Sequence, residues 1–267
     1  VLRLRDMVFA NPEARIGDIV QPAITVRPDA SLGELDEFFD ENDIAAVPVV
    51  DERGFLLGIV RRRSVLEALA GKAEADSLKS AGIVGGEELR SMPVTTRARR
   101  RLSWLSVNIV LNIIAASVIA LYEDTLSAVI ALAVFLPIVS DMSGCSGNQA
   151  VAVSMRELTL GAIVPRDLFR VWRKEVSVGL INGLVLGGLL AVAAWAWKGS
   201  PMLGIVVGAA LAINTIVAVS LGGTIPLALK RFRIDPAVAS GPVLTTVTDM
   251  CGFFLVLSLA SLALPLL

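Results

Sequence analysis

Beyond residue 102 the chain is apolar in five runs, at about 103–121, 126–153, 176–197, 202–229 and 240–264. Each reaches about the 20 residues that a helix needs to cross a bilayer's hydrocarbon. Lipid offers the backbone no hydrogen-bond partner, so runs of this length must close their own bonds as helices. Residues 1–101 are ordinary soluble sequence, and the 55% hydrophobic content and mean hydropathy of +0.72 come from the remainder. The chain therefore reads as a water-exposed part followed by a five-helix membrane part, residues 102–267. The second and fourth runs are long, and Pro137 and Pro226 are the expected places for a kink.

The second run is interrupted. Leu136-Pro137-Ile138-Val139-Ser140-Asp141-Met142-Ser143-Gly144-Cys145-Ser146-Gly147-Asn148 puts a proline, two glycines, an amide and a carboxylate at membrane depth. Such groups are costly there unless they line a wet path or a protein contact. Small residues permit close helix approach, and exposed carbonyls are good ligands for hard cations. The fifth run carries Asp249, about ten residues in, within Thr245-Thr246-Val247-Thr248-Asp249-Met250. No Lys or Arg occurs in any of the five runs. Asp249 is thus either protonated and bonded to a threonine or neutralised by a cation and water, and the second reading is preferred. Thr245 and Thr248 supply further oxygens nearby. Asp141 either lines the same path or meets the inner water. The two segments are expected to meet and pass a divalent cation.

Histidine is absent, which leaves oxygen ligands and favours magnesium or calcium over zinc or copper. Cys145 and Cys251 form no redox motif and read as packing residues. A net charge of −1 gives no field that calls for nucleic acid. No nucleophile–base pair or phosphate-binding loop is visible, so the chain is not read as an enzyme.

Basic residues set the expected topology. Arg97, Arg99, Arg100 and Arg101 precede the first run. Arg156, Arg166, Arg170, Arg173 and Lys174 follow the second, and Lys230, Arg231 and Arg233 follow the fourth. The opposite side has only Lys198, beside an acidic Glu123-Asp124 turn. The positive-inside rule places the soluble part in the cytoplasm and Leu267 outside, in a cell (inner) membrane. Residues 74–101 read as a basic juxtamembrane connector helix that touches anionic lipid.

The soluble part alternates strand, helix, strand, strand, helix from Ile16 to Leu69. Ser31 and Glu34 form a capping box for a helix over Leu32–Asn42. Ala46–Val50 and Leu56–Val60 are strands about a turn with Gly54 left-handed, and Ser64 is the expected cap of the next helix. An acidic group, Glu34, Asp36, Glu37, Asp40, Glu41, Asp43, Asp51 and Glu52, reads either as a solvated face or as a cation-sensing surface.

Val47-Pro48-Val49-Val50-Asp51, Gly54 and Gly58-Ile59-Val60 leading to Ser64-Val65-Leu66 resemble a CBS repeat, residues 16–73. Residues 1–15 resemble the tail of a preceding repeat, so more of the natural protein is expected before Val1. With Phe135-Leu136-Pro137, Ser143 to Ala150, Arg156-Glu157-Leu158, and Asp235 to Pro242 followed by Thr245-Thr246 and Asp249, the chain resembles the MgtE family of magnesium channels. The resemblance implies an α-helical membrane protein of five transmembrane helices with an N-terminal cytosolic α/β CBS-type domain. It implies a homodimer in the lipid bilayer, a pore between the second and fifth spans, and closure by cytosolic Mg2+. Asp249 falls at the family's pore aspartate, and Gly144 and Asn148 in its pore-lining stretch. Ser143, Cys145 and Asp141 depart from the usual glycine, asparagine and small neutral residue, which bears on ion choice. Alternatives are an exchanger or channel for Co2+, Mn2+ or Na+, a membrane-anchored sensor binding ATP or another adenine nucleotide at the CBS unit, and an intramembrane hydrolase.

Overall fold

The computed structural model describes residues 8–11, 13–20, 22–83 and 85–266, with 238–240 as backbone. Most of the segment expected to end a preceding repeat, residues 1–7, lies outside the described residues, as does Leu267. Two compact units divide between Ala73 and Glu74.

In the first unit, α1 (Ile16–Ile19) is a single turn and α2 (Leu32–Glu41) is amphipathic. The α2 N-terminus is held as the sequence requires. Ser31 Oγ accepts from Glu34 N at 3.3 Å, and Glu34 Oε2 accepts from Ser31 N at 2.7 Å. The bond from the Ser31 backbone, then that with its hydroxyl, lowers the Glu34 carboxyl from its ordinary range. Strands β1 (Ala46–Val50) and β2 (Leu56–Arg61) pair antiparallel with Pro48 opposite Ile59. Val26 adds a parallel bridge to Val49. The turn between the strands is tied by Asp51 Oδ1, which accepts from Arg53 N at 2.9 Å and Phe55 N at 2.8 Å. Gly54 lies there at φ +83°, where a side chain would be strained. Phe39, Val47 and Val65 form the small core. Helix α3 (Arg62–Ser80) starts earlier than expected, because Arg62 N bonds Ala45 O at the strand's end. Ser64 therefore lies inside the helix and does not cap it.

The second unit holds α4 (Val94–Ala120), α5 (Glu123–Ala128), α6 (Leu132–Thr159), α7 (Leu168–Lys198), α8 (Pro201–Arg231) and α9 (Pro236–Ala263). Residues 74–101, expected as one connector helix, are the end of α3, a turn-rich stretch and the first turns of α4. Gly82, at φ +84°, lies under the Trp104 indole, where a Cβ would come within 2.1 Å of the ring. Three of the arginines expected at lipid fold back onto this stretch. Glu88 binds Arg101 and Arg97, the latter at 2.9 Å, and these bonds, Arg101 first, lower its carboxyl from the usual range. Arg100 reaches the Glu87 carbonyl.

Among the described residues four segments are long and apolar enough to cross a membrane: Val94–Ala120, Pro165–Lys198, Pro201–Arg231 and Gly241–Leu266. The fifth expected span, α6, has 28 residues but reaches that length with a polar centre, and is not among the four. Pro137, Pro226 and Pro242 all lie inside helices that continue through them.

Central to the bundle is α8, which packs against α6, α7 and α9. Its contact with α7 is made by glycines. Cβ atoms added at Gly183 and Gly187 would lie 2.5 Å from the Ala212 and Gly208 carbonyls, and one at Gly204 would lie 2.5 Å from that of Ala191. Side chains at these points would force the backbones apart. The tight α7–α8 hairpin uses Gly199 at φ +74°, Ser200 as cap to Leu203 N at 3.2 Å, and Pro201 in the first turn. The apolar core of α6, α8 and α9 is built on Leu132, Phe135, Val139, Val207, Leu211 and Leu257.

Candidate functional site

Asp249 lies midway along the 28 residues of α9, and its side chain is half-buried. Its carboxylate accepts a hydrogen bond from the Ser140 hydroxyl of α6. Among the described residues it has no ion pair. A hydroxyl donor supports a carboxylate but does not cancel its charge.

One turn beyond Ser140, the Ser143 hydroxyl donates to the Val139 carbonyl and accepts from Asn214 Nδ2 of α8 at 2.6 Å. The same Nδ2 donates to the Thr248 carbonyl of α9 at 3.0 Å. The Thr248 carbonyl can only accept, so the amide must present its nitrogen there. Gly252 makes the room, since a Cβ at that position would lie 2.8 Å from Nδ2. Asn214 is wholly buried, and its Oδ1 has no hydrogen-bond partner among the described residues. An unpaired buried carbonyl of this kind costs about 1–3 kcal/mol.

Of the six residues expected at the site, five fall into three groups, and Thr245 bonds only within its own helix. Asp249 meets α6 through Ser140. Gly144 and Thr248 face one another across α6 and α9, an added Cβ at Gly144 lying 3.8 Å from Thr248 Oγ1. Asp141 and Asn148 stand with Cys145 on an exposed stripe of α6, at the helical spacing of four and three residues. The threonines bond within their own helix: Thr248 donates to the Thr245 carbonyl at 3.0 Å, and Thr245 to Gly241 O and Pro242 O, each at 3.2 Å. Thr248, expected to offer oxygen beside Asp249, is completely buried and packs between helices. Sequence reasoning missed the roles of Ser140 and Asn214. The available signal for Asn214 was a lone amide in Leu211-Ala212-Ile213-Asn214-Thr215-Ile216, at a depth where a polar side chain needs a reason.

No group of three or more Cys, Asp or Glu that could hold a metal occurs among the described residues. Asp249 is a half-buried carboxylate with small and hydroxyl residues around it.

The family model described as MgtE, a divalent cation transporter, matches residues 136–259, and that of the CBS domain matches residues 5–71. The first match takes in Ser140, Asn214 and Asp249. The chain joins a CBS domain to an MgtE-family domain. It is 35% identical over 268 residues to a magnesium transporter MgtE of Thermus thermophilus, covering 99% of this chain and 59% of the relative. It is 31% identical to one of Bacillus subtilis, covering 98% of this chain and 58% of the relative. The relative from Enterococcus faecalis, also named a magnesium transporter, is 32% identical with the same coverage. The chain thus spans less than two thirds of the length of these relatives. With its MgtE domain and four candidate spans it is a multi-pass membrane protein.

Proposed function

We propose that the MgtE domain conducts Mg2+ through a pore shared by two copies of the chain. The observation that carries this reading is Asp249: a carboxylate midway along an apolar helix, bonded to Ser140, with no cationic side chain to balance it. The relatives' names supply the ion. Two Asp249 carboxylates, one from each subunit, hold a hydrated magnesium ion at a constriction. Mg2+ sheds water reluctantly and usually keeps several waters, so carboxylate and main-chain oxygens accept hydrogen bonds from those waters. In this reading α6 is the fifth span, and its stripe of Asp141, Cys145 and Asn148 lies along the path, where the polar residues that exclude α6 from the apolar spans have a use.

The CBS unit lies in the cytoplasm and senses magnesium, closing the pore when the ion is plentiful. Inward flow follows concentration and potential, the latter worth about 4.6 kcal/mol for a divalent ion across 100 mV. The test is Asp249→Ala in the full-length protein, in cells deprived of their own magnesium uptake. Growth should require high external magnesium. Growth on low magnesium equal to that with the unaltered protein would overturn the assignment.

A further inference from the structure

A pore carboxylate works only if neighbouring helices hold it at a constant depth and rotation. Contacts between small apolar residues bring helices close but carry little directional information, whereas hydrogen bonds set register. Small residues account for much of the packing of α6 on α8: Gly147 lies against the Ala218 carbonyl, and Gly222 against that of Gly147. Nothing in those contacts alone fixes Asp249 opposite Ser140.

Asn214 supplies that direction. From the central helix it reaches Ser143 at 2.6 Å, one turn along α6 from Ser140. It also reaches the carbonyl of Thr248 at 3.0 Å, the residue just before Asp249 on α9. A single amide nitrogen thereby bonds both helices that carry the Ser140–Asp249 pair, at the level of that pair. Gly252 keeps the seat for the amide open. Among the described residues the amide's hydrogen bonds all come from its nitrogen, so its hold on the two helices rests on that one donor group. Leucine shares the branched skeleton of asparagine without its donor, although its methyl groups are bulkier than the amide.

We propose that Asn214 is a positioning residue of the ion pathway, clamping α6 and α9 to α8 so that Ser140 stays opposite Asp249. Asn214 touches neither the carboxylate nor the ion, and the inference rests on Asp249 being the pore carboxylate.

The test uses the full-length protein in proteoliposomes loaded with a magnesium-sensitive dye. Flux is followed against Mg2+ concentration, with and without competing Ca2+, for the unaltered protein and for Asp249→Asn, Asn214→Leu, Gly252→Ala, Asn214→Ala and the Asn214→Ala/Gly252→Ala double variant. In folded Asn214→Leu the half-saturating Mg2+ concentration should rise about tenfold or more, the usual effect of losing a group that orients an ion's ligand. Its preference for Mg2+ over Ca2+ should weaken as well. Gly252→Ala should shift half-saturation the same way, because its methyl takes the place of the amide nitrogen. The double variant should be no worse than Asn214→Ala, since the missing amide frees that place, and such non-additivity marks coupled residues.

A purely structural amide would lower the amount of folded protein and the maximal flux together, leaving half-saturation and ion preference in place. That result, or full additivity in the double variant, overturns the proposal while an inactive Asp249→Asn leaves the pore reading standing. Unaltered flux through Asp249→Asn removes the pore reading, and the positioning role with it. If Asn214→Leu does not fold, Gly252→Ala decides by the same half-saturation criterion.

Discussion

Helix α7 meets α8 through Gly183 and Gly187 on one side and Gly204 and Gly208 on the other, backbone against backbone. No side-chain hydrogen bond joins these two helices among the described residues. Where α6 and α9 meet α8 at the level of Asp249, small residues remain, but Ser143 and Asn214 add hydrogen bonds between side chains and from side chain to backbone. Both seams bury apolar surface, and only the second accepts an unpaired amide oxygen. The contrast separates contacts that hold the bundle together from those that set where a charged group sits.

The largest expected effect lies in the glycine seam. Gly187→Val would push a branched side chain into the Gly208 carbonyl and Ala212, neither of which can retreat without moving a helix. Overpacking of this kind costs about 3 kcal/mol or more when backbone must shift. Folded, monodisperse protein should be lost in detergent, as read by size-exclusion elution and thermal melting. A melting temperature equal to the unaltered protein's would show that the seam is looser than its geometry states.

Next comes Asn214→Leu, in which half-saturation should shift in the protein that folds, whatever its melting temperature. A matching change in the glycine seam would lower stability and flux together, so the pair of variants tests whether the seams differ in kind.

The smallest effect is expected from Ser154→Ala. Ser154 is buried and donates to the Gly223 carbonyl at 2.8 Å, toward the end of α6 away from the Asp249 level. Its loss should lower stability by about 1 kcal/mol, the usual net worth of a buried hydrogen bond. Half-saturation by Mg2+ should not move. A shift as large as that of Asn214→Leu would mean that any polar contact on α6 tunes the ion path, and the special place of Asn214 would be lost.

Much of this was legible in the sequence, and the reasons differ by residue. The Ser31–Glu34 capping box and the Gly54 turn are local, set by residues three or four apart, and the structure has both. The depth of Asp249 followed from its place in an apolar run. Which part of α6 faces it did not. Ser140 and Asp141 are adjacent, but successive helical side chains point about 100° apart. The sequence left Asp141 open between the path and the inner water and did not single out Ser140; the serine meets Asp249, and Asp141 is exposed. Asn214 was hidden for a related reason, because an amide's partners lie on two other helices at 71 and 34 residues' separation. The turn-rich stretch before α4 was missed because arginines before an apolar run also suit lipid, and the pairing of Glu88 with Arg97 and Arg101 needs a fold-back that no local pattern signals.

The account's central claim is met most directly by one measurement: Mg2+ entry into proteoliposomes under an imposed inside-negative potential, for the full-length protein and for Asp249→Asn. Entry should rise with the potential in the unaltered protein and be absent in the variant, with elution and melting the same for both. Equal entry through the two proteins would contradict the claim that the Asp249 carboxylate holds the ion.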